Sequence, residues 1–480
     1  MAAPLRGRFV STLAGVAAFL VAACGGSSNP PSPGTPGGGG ETITGRERIG
    51  WTQQAVDAEQ LATFSYAAYV DGVRRVLEGA TCPGSGGGGF DCSAPLPPMT
   101  PGQHTIELVS FTVSEDTTLE SERSAPLRVT VSAISPSAAI AADATFTTPE
   151  GHRLRSTVIA KGLDDPTDLA VSPDGRVFVV ERAGRVRILG GEDRETSALE
   201  LVDVSVSAES GLTSIALDPR FDSNGFVYLA YASETRDAVA LKIARFRERN
   251  GVLAQGALVV RARTNAAEHV TIRFGVDGKL YAGVAAGDDP GAAQSLSSPL
   301  GKILRLNADG TSPRDNPRSS LTFTSGHRDP RALTWQPATS VMWEIDRDGD
   351  RGDELNNVVA GGDYGWPMTM SGEPSIAPAL ILPAGTDVAG ASFVPASSRS
   401  PLAGELLIAS KGAEDLLRVH VSSKGQPTVL EGIVQRRYGR LAAVAVAADG
   451  TIYVATSNRE TWGPGNDVVI KLINGAPLTR

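Results

Sequence analysis

Pro173-Asp174-Gly175-Arg176-Val177-Phe178-Val179-Val180 decides the fold: a turn pair leads into a run of β-branched and aromatic residues. Asp and Gly accept the left-handed backbone of a tight hairpin, and the Val/Phe run has strand propensity. The same figure returns at Asn224-Gly225 before Val227-Tyr228-Leu229 and at Asp277-Gly278 before Leu280-Tyr281. It returns again at Thr339-Ser340 before Val341-Met342-Trp343, Ala403-Gly404 before Leu406-Leu407-Ile408, and Asp449-Gly450 before Ile452-Tyr453-Val454. Successive turns lie 46 to 64 residues apart. A strand-based repeat near 50 residues marks a propeller, in which each sheet buries its faces only against its neighbours. Six turns predict an all-β, six-bladed β-propeller over residues 146–476.

Upstream the rhythm changes. Within 44–135, Thr63-Phe64-Ser65-Tyr66, His104-Thr105-Ile106-Glu107-Leu108 and Leu127-Arg128-Val129-Thr130-Val131 alternate with period two, separated by Asp71-Gly72 and Pro101-Gly102. That pattern predicts a small antiparallel sandwich. Trp51, the Tyr66/Tyr69 cluster and Glu122-x-Ser124-Ala125-Pro126-Leu127 resemble the fibronectin type III-like, immunoglobulin-type modules of bacterial exported proteins.

Arg6 and Arg8 precede an uncharged run from Phe9 to Ala23, too short to span a bilayer and suited to an export signal over 1–23. Val21-Ala22-Ala23-Cys24 resembles a lipobox, which implies a diacylated Cys24, the alternative being an ordinary signal cut nearby. Residues 24–43, rich in Gly, Pro and Ser, form a flexible tether. The expected place is the bacterial cell envelope, lipid-anchored on the periplasmic or outer-membrane face, with membrane contact through that lipid only. Cys82 and Cys92 remain, and in an oxidising compartment they are expected to form one disulfide.

Glycine (54) and proline (31) make up about 18 % of 480 residues, against roughly 12 % on average, which excludes a long helical bundle. A 41 % hydrophobic content supplies a core, and a net charge of −9 argues against a nucleic-acid-binding surface. A monomer or weak dimer is expected.

The motifs on the repeat frame resemble the soluble pyrroloquinoline quinone (PQQ) dependent glucose/aldose sugar dehydrogenases, the glucose/sorbosone dehydrogenase family. In family order they include Gly162-Leu163-x-x-Pro166-Thr167-Asp168-Leu169, Glu181-Arg182-x-Gly184-Arg185, Gly211-Leu212, and His269 ahead of Asp277-Gly278-Lys279-Leu280-Tyr281. Gly301-Lys302-Ile303-Leu304-Arg305-Leu306, Gly326-His327-Arg328-x-Pro330, Asp353-Glu354-Leu355-Asn356 and Tyr364-Gly365-Trp366-Pro367 follow.

The resemblance implies oxidation of an aldose at C1 to a lactone, with a small-molecule sugar substrate, PQQ as cofactor and Ca²⁺ nearby. It gives His269 the role of base and Asp288 that of orienting its imidazole; without it, both read as turn residues. It places Glu209, Arg328, Asp329, Lys411 and Arg440 at the cofactor, cations being suited to its three carboxylates. Salt bridges at blade ends are the alternative for Arg328 and Arg440, and a solvated strand end for Lys411. The chain departs from the family pattern in a shorter His269 loop, in Asp329 and Arg331 for Asn and Gln, in Glu209 for Gln, and in Ala442 for one of two arginines. Asp346, Asp348, Asp350 and Asp353 offer the hard oxygens Ca²⁺ prefers, or else form a solvated acidic turn beside Arg347 and Arg351. Those departures motivate a second reading, a propeller without redox activity acting as a cell-surface carbohydrate- or protein-binding module. The acidic loop motivates a third, a calcium-dependent lactonase-type hydrolase.

Overall fold

The computed structural model describes residues 18–21, 41–43 and 48–475, apart from 78–79, 83–84, 87–88, 98, 100–101, 115–116, 132–143, 149, 191–194, 208, 236–237, 265–268, 349–351, 368–374 and 435. Cys24 and most of the tether lie outside the described residues. The chain divides into two compact units, residues 1–135 and 136–480.

The first unit holds two sheets. One carries Arg48–Gln53 and Gly89–Pro95, with Ala18–Val21 as an edge strand on the former; the other carries Ser65–Val70, Gly102–Ser114 and Leu127–Val131. Both contribute to one core, in which Ile49, Trp51, Cys92 and Ala94 meet Tyr66, Ala68, Ile106, Leu108 and Val129. The Trp51 and Tyr66 rings pack edge-on with centroids 4.7 Å apart. Cys82 and Cys92 form a disulfide.

In the second unit the described residues form six sheets, numbered here as blades 1 to 6 in chain order. Their first strands are Pro166–Val171, Leu212–Leu217, Val270–Phe274, Pro330–Trp335, Val388–Phe393 and Leu441–Val446. Each first strand packs beside the next and the sixth returns to the first, so the strands close a ring, the propeller arrangement. Blade 6 is completed from the N-terminal side: Arg153–Leu163 pairs with Asp467–Asn474 and ties the two ends of the ring together. Cores form between blades, as where Phe178, Val180 and Ile188 of blade 1 meet Leu212, Ile215 and Val227 of blade 2.

The six turns read from the sequence each join a blade's first strand to its second. Gly175, Gly225, Gly278, Ser340, Gly404 and Gly450 all sit there with φ between 58° and 89°. This left-handed backbone is what small turn residues permit.

Candidate active site

In every blade the start of the first strand is bonded to the far end of the second. The residue preceding the first strand offers its carbonyl to an amide at the end of the second, at 3.1 Å for Asp165 and Arg182, 3.0 Å for Gly211 and Ala232, and 3.1 Å for His269 and Ala285. The corresponding distances are 3.0 Å for Asp329 and Arg347, 3.0 Å for Asp387 and Lys411, and 2.9 Å for Arg440 and Ser457. These pairs form the rim at one end of the ring, and their side chains meet. Three couple an aspartate with a cation, whereas blades 2 and 3 contribute only Gly211, Ala232 and Ala285 beside His269. Asp165 and Asp387 hold left-handed backbones (φ 54° and 49°), a strain that tends to persist at functional sites.

In five blades the ladder between the first two strands slips at its start, between 166 and 168, 212 and 214, 330 and 332, 388 and 390, and 441 and 443. Blade 3, which carries His269, runs without a slip from Val270. A bulge re-aims the residue it skips. In blade 4 that residue is Arg331, and in blade 6 it is Ala442. The arginine absent at Ala442 is thus matched by one at the equivalent bulge two blades away.

Arg331 organises the rim. Its Nε donates to Asp329 Oδ2 at 2.8 Å, its Nη2 pairs closely with Glu209, and its Nη1 lies 3.3 Å from His269 Nδ1. Arg347 bridges the same acids, with Nη2 2.9 Å from Glu209 Oε2 and 2.9 Å from Asp329 Oδ2, and reaches Asp387 Oδ1 at 3.4 Å. Arg440 meets Asp387 Oδ2 at 3.4 Å. Burial favours the neutral Glu209 carboxyl, but Arg331 and Arg347 outweigh it and hold the group down at about 2.

His269 is buried, 8 % exposed, and not the partly exposed turn residue of the unaided sequence reading. Burial first, then Arg331, Arg347, Arg182 and Lys411, push its pKa well below the ordinary 6.5, so the imidazole is neutral at pH 7. A guanidinium can only donate, so Nδ1 is the acceptor and the neutral ring carries its proton on Nε2. Nε2 has no hydrogen-bond partner among the described residues.

Several expectations change here. Asp288 does not orient His269: it is exposed, makes no hydrogen bond to the imidazole among the described residues, and stands three residues beyond Ala285, the residue that is bonded to His269. Arg331 occupies the nitrogen that an orienting acid would take. Arg328 does not join the rim network either, because its guanidinium is paired with Asp348 and with the Asp348 carbonyl at 2.7 Å. Among the described residues, Asp346, Asp348 and Asp353 do not gather into a calcium cage. Asp346 accepts the amides of Arg328 at 2.8 Å and Asp329 at 2.5 Å, Asp348 holds Arg328, and Asp353 Oδ2 accepts the Val388 amide at 2.8 Å. Asp350 lies outside the described residues.

Glu209, Asp329, Lys411 and Arg440 do come together with His269. Lys411 is half-buried and makes no ion pair among the described residues, and burial, then Arg182 and Arg331, bring its pKa down to about 8. The sequence reading missed Asp165, Arg182, Arg347 and Asp387 as rim residues and left Arg331 unassigned. Their signal was positional, since each stands at a first-strand start or second-strand end.

The family profile described as Glucose / Sorbosone dehydrogenase matches residues 163–462. An uncharacterized protein of Synechocystis is 31 % identical over 264 residues, covering 48 % of this chain, and the chain spans 64 % of that relative's length. A solved Thermus structure described as an oxidoreductase (glucose dehydrogenase) superposes with TM-score 0.58 at 33 % identity, covering 67 % of this chain and 100 % of its own. The PQQ-bound aldose sugar dehydrogenase of Streptomyces coelicolor gives TM-score 0.57 at 27 % identity, covering 66 % of this chain and 98 % of its own. With the propeller ring and the cationic rim in place, the profile match over most of the second unit settles the classification: this chain belongs to the glucose/sorbosone dehydrogenase family.

Proposed function

We propose that the protein is a PQQ-dependent aldose dehydrogenase that oxidises a sugar at C1 to the lactone, held in the bacterial envelope through a lipid on Cys24. The observation that carries the reading is the charge of the rim. Arg182, Arg331, Arg347, Arg440 and Lys411 outnumber Asp165, Glu209, Asp329 and Asp387, and burial first, with neighbouring cations adding to it, depresses both His269 and Lys411. A rim that gathers four guanidinium groups and an ammonium around a neutral imidazole favours an anion, and the three carboxylates of PQQ fit that demand.

Lys411, Arg440 and Arg347 are the residues that would hold those carboxylates. Bound PQQ supplies a two-electron acceptor for hydride from the sugar. His269 starts neutral, the state a general base requires, and takes the C1 hydroxyl proton. In the structure its lone pair faces Arg331, so proton uptake requires Arg331 to give up that contact, whether Nδ1 accepts directly or the ring proton moves to Nδ1 and frees Nε2. Glu209 and Asp329 retain Arg331 through its other nitrogens when the contact opens. The small residues Gly211, Ala232 and Ala285 leave the side of blades 2 and 3 for the sugar.

The Arg331–His269 contact also favours the binding-module reading, because it blocks the nitrogen a base would use. One experiment separates the two: titrate the purified protein with PQQ by calorimetry and assay dye reduction across several aldoses. Binding with turnover supports the dehydrogenase, absence of both overturns the cofactor assignment and leaves the module, and binding without turnover keeps the cofactor site but removes the oxidation.

A further inference from the structure

A second cluster lies below the rim, where blade 3 passes to blade 4. Glu344 and Asp346 belong to the second strand of blade 4, Met342–Asp346, and their two-residue spacing points both side chains to one face. His327 comes from the segment between Thr322–Ser325, the fourth strand of blade 3, and the start of blade 4. All three are buried, at 0 % exposure for His327 and Glu344 and 3 % for Asp346.

The bonds around the cluster leave its centre open. His327 stacks on Tyr364, with centroids 4.7 Å apart, and bonds Thr324 Oγ1 through Nε2 at 2.8 Å, which fixes the ring and turns Nδ1 inward. Asn356 donates to Glu344 Oε2 at 3.0 Å and leaves Oε1. His327 Nδ1 and Glu344 Oε1 have no hydrogen-bond partner among the described residues, although both are sealed from solvent. His327 Nδ1 is 3.6 Å from Glu344 Oε1 and 3.7 Å from Asp346 Oδ2, and the three ligand atoms lie within 4.8 Å of one another.

Those separations are too long for hydrogen bonds. They lie at the long end of the spacing of two ligands on one ion, since bonds of about 2.0–2.2 Å set neighbouring ligand atoms roughly 3–3.6 Å apart. Leaving buried polar atoms unsatisfied is costly, and two carboxylates beside a neutral imidazole balance one dication. One imidazole nitrogen with carboxylate oxygens suits a first-row transition ion, whereas Ca²⁺ takes oxygens alone. Thr324, Asn356 and the Arg328 and Asp329 amides supply the outer hydrogen bonds that orient such ligands.

We propose that His327 Nδ1, Glu344 Oε1 and Asp346 Oδ2 bind one divalent transition ion, Zn²⁺ or Mn²⁺, as a structural site joining blades 3 and 4. Asp346 also carries the amides of Arg328 and Asp329, so the ion would brace the loop that presents Asp329 and Arg331 to the rim. The site does not depend on the dehydrogenase reading.

The test is elemental analysis of the purified full chain, with thermal melting before and after chelation and after return of Zn²⁺, Mn²⁺ or Ca²⁺ singly. The expected result is about one Zn²⁺ or Mn²⁺ per chain, a lower melting temperature on chelation, and recovery with the transition ion. Glu344→Gln keeps the side-chain volume and should weaken metal retention by at least tenfold. Should that variant fail to fold, the wild-type metal content and chelation response decide alone. No retained metal with melting indifferent to chelator and to all three ions overturns the site, because His327 would then serve as a buried imidazolium between two carboxylates. Recovery with Ca²⁺ but not with Zn²⁺ or Mn²⁺ overturns it equally.

Discussion

His269 and His327 are both buried imidazoles beside the starts of neighbouring first strands, yet the chain has given them opposite surroundings. Around His269 stand Arg331, Arg347, Arg182 and Lys411, which add to burial and keep the ring neutral. Around His327, burial is outweighed by Glu344 and Asp346, which favour a positive charge at that point. Nearby Glu354 shows the same excess of negative charge, its carboxyl pushed up to about 7 by burial and then by Asp346 and Asp348. The sign of the neighbours, not burial, separates the two sites: one suits an anion and a proton acceptor, the other a cation.

The comparison breaks first at His269. His269→Ala should lower kcat by about 10²- to 10⁴-fold, the usual worth of a general base, with melting little changed. Dye-reduction kinetics beside a thermal melt would check it; an unchanged kcat would remove the base assignment and leave the fold and cofactor site standing. The next effect is electrostatic. In the wild type the acid limb of kcat/KM should fall below pH 6.5, because His269 becomes protonated only well below its ordinary range. Arg331→Gln removes a neighbouring cation, so the His269 pKa must rise and the acid limb must move to higher pH by about one unit or more. A limb that stays in place would show that Arg331 does not control the imidazole.

The blades were legible because each rests on a local event, a left-handed turn residue before a strand, which needs no knowledge of the partner sheet. His269, Glu209, Lys411 and Arg440 were readable through motif order. Arg331 was not, because its direction depends on a one-residue ladder slip that leaves no mark in a single strand. The Asp288 error has a related origin: the resemblance places an acid after the strand that follows His269, but it is the Ala285 amide that donates to the His269 carbonyl, and Asp288, three residues on, is exposed. The His327 cluster escaped because its members come from two blades, and no spacing between 327, 344 and 346 resembles a metal motif. The acidic run drew notice instead, yet of its described members only Asp346 belongs to the cluster, while Asp348 is taken by Arg328 and Asp353 by the Val388 amide.

A third test concerns Lys411, whose ammonium sits at about 8 in the free protein and is therefore partly deprotonated near pH 8. An anionic ligand beside it favours the charged form, so PQQ binding near pH 8 should take up protons and weaken as pH rises further. Calorimetry in two buffers of different ionisation enthalpy measures that uptake, and Lys411→Met should abolish most of it. An unchanged proton count in the variant would take Lys411 out of the cofactor site.

The smallest effect is expected at Asp288, and it sharpens the contrast between the two histidines most directly. If His269 were oriented by an acid, its partner would hold Nδ1–H, as in other acid-oriented imidazoles, and Asp288→Asn would cost activity by orders of magnitude. With Arg331 donating to Nδ1 and Asp288 exposed, the substitution removes a solvated charge and should change kcat/KM by less than about twofold at moderate salt. Steady-state kinetics on Asp288→Asn beside Arg331→Gln therefore ask one question of two residues. A large loss at Asp288 with a silent Arg331 would mean that the imidazole turns to the acid when substrate binds, and that its charge environment in the free protein is not the one in which it works.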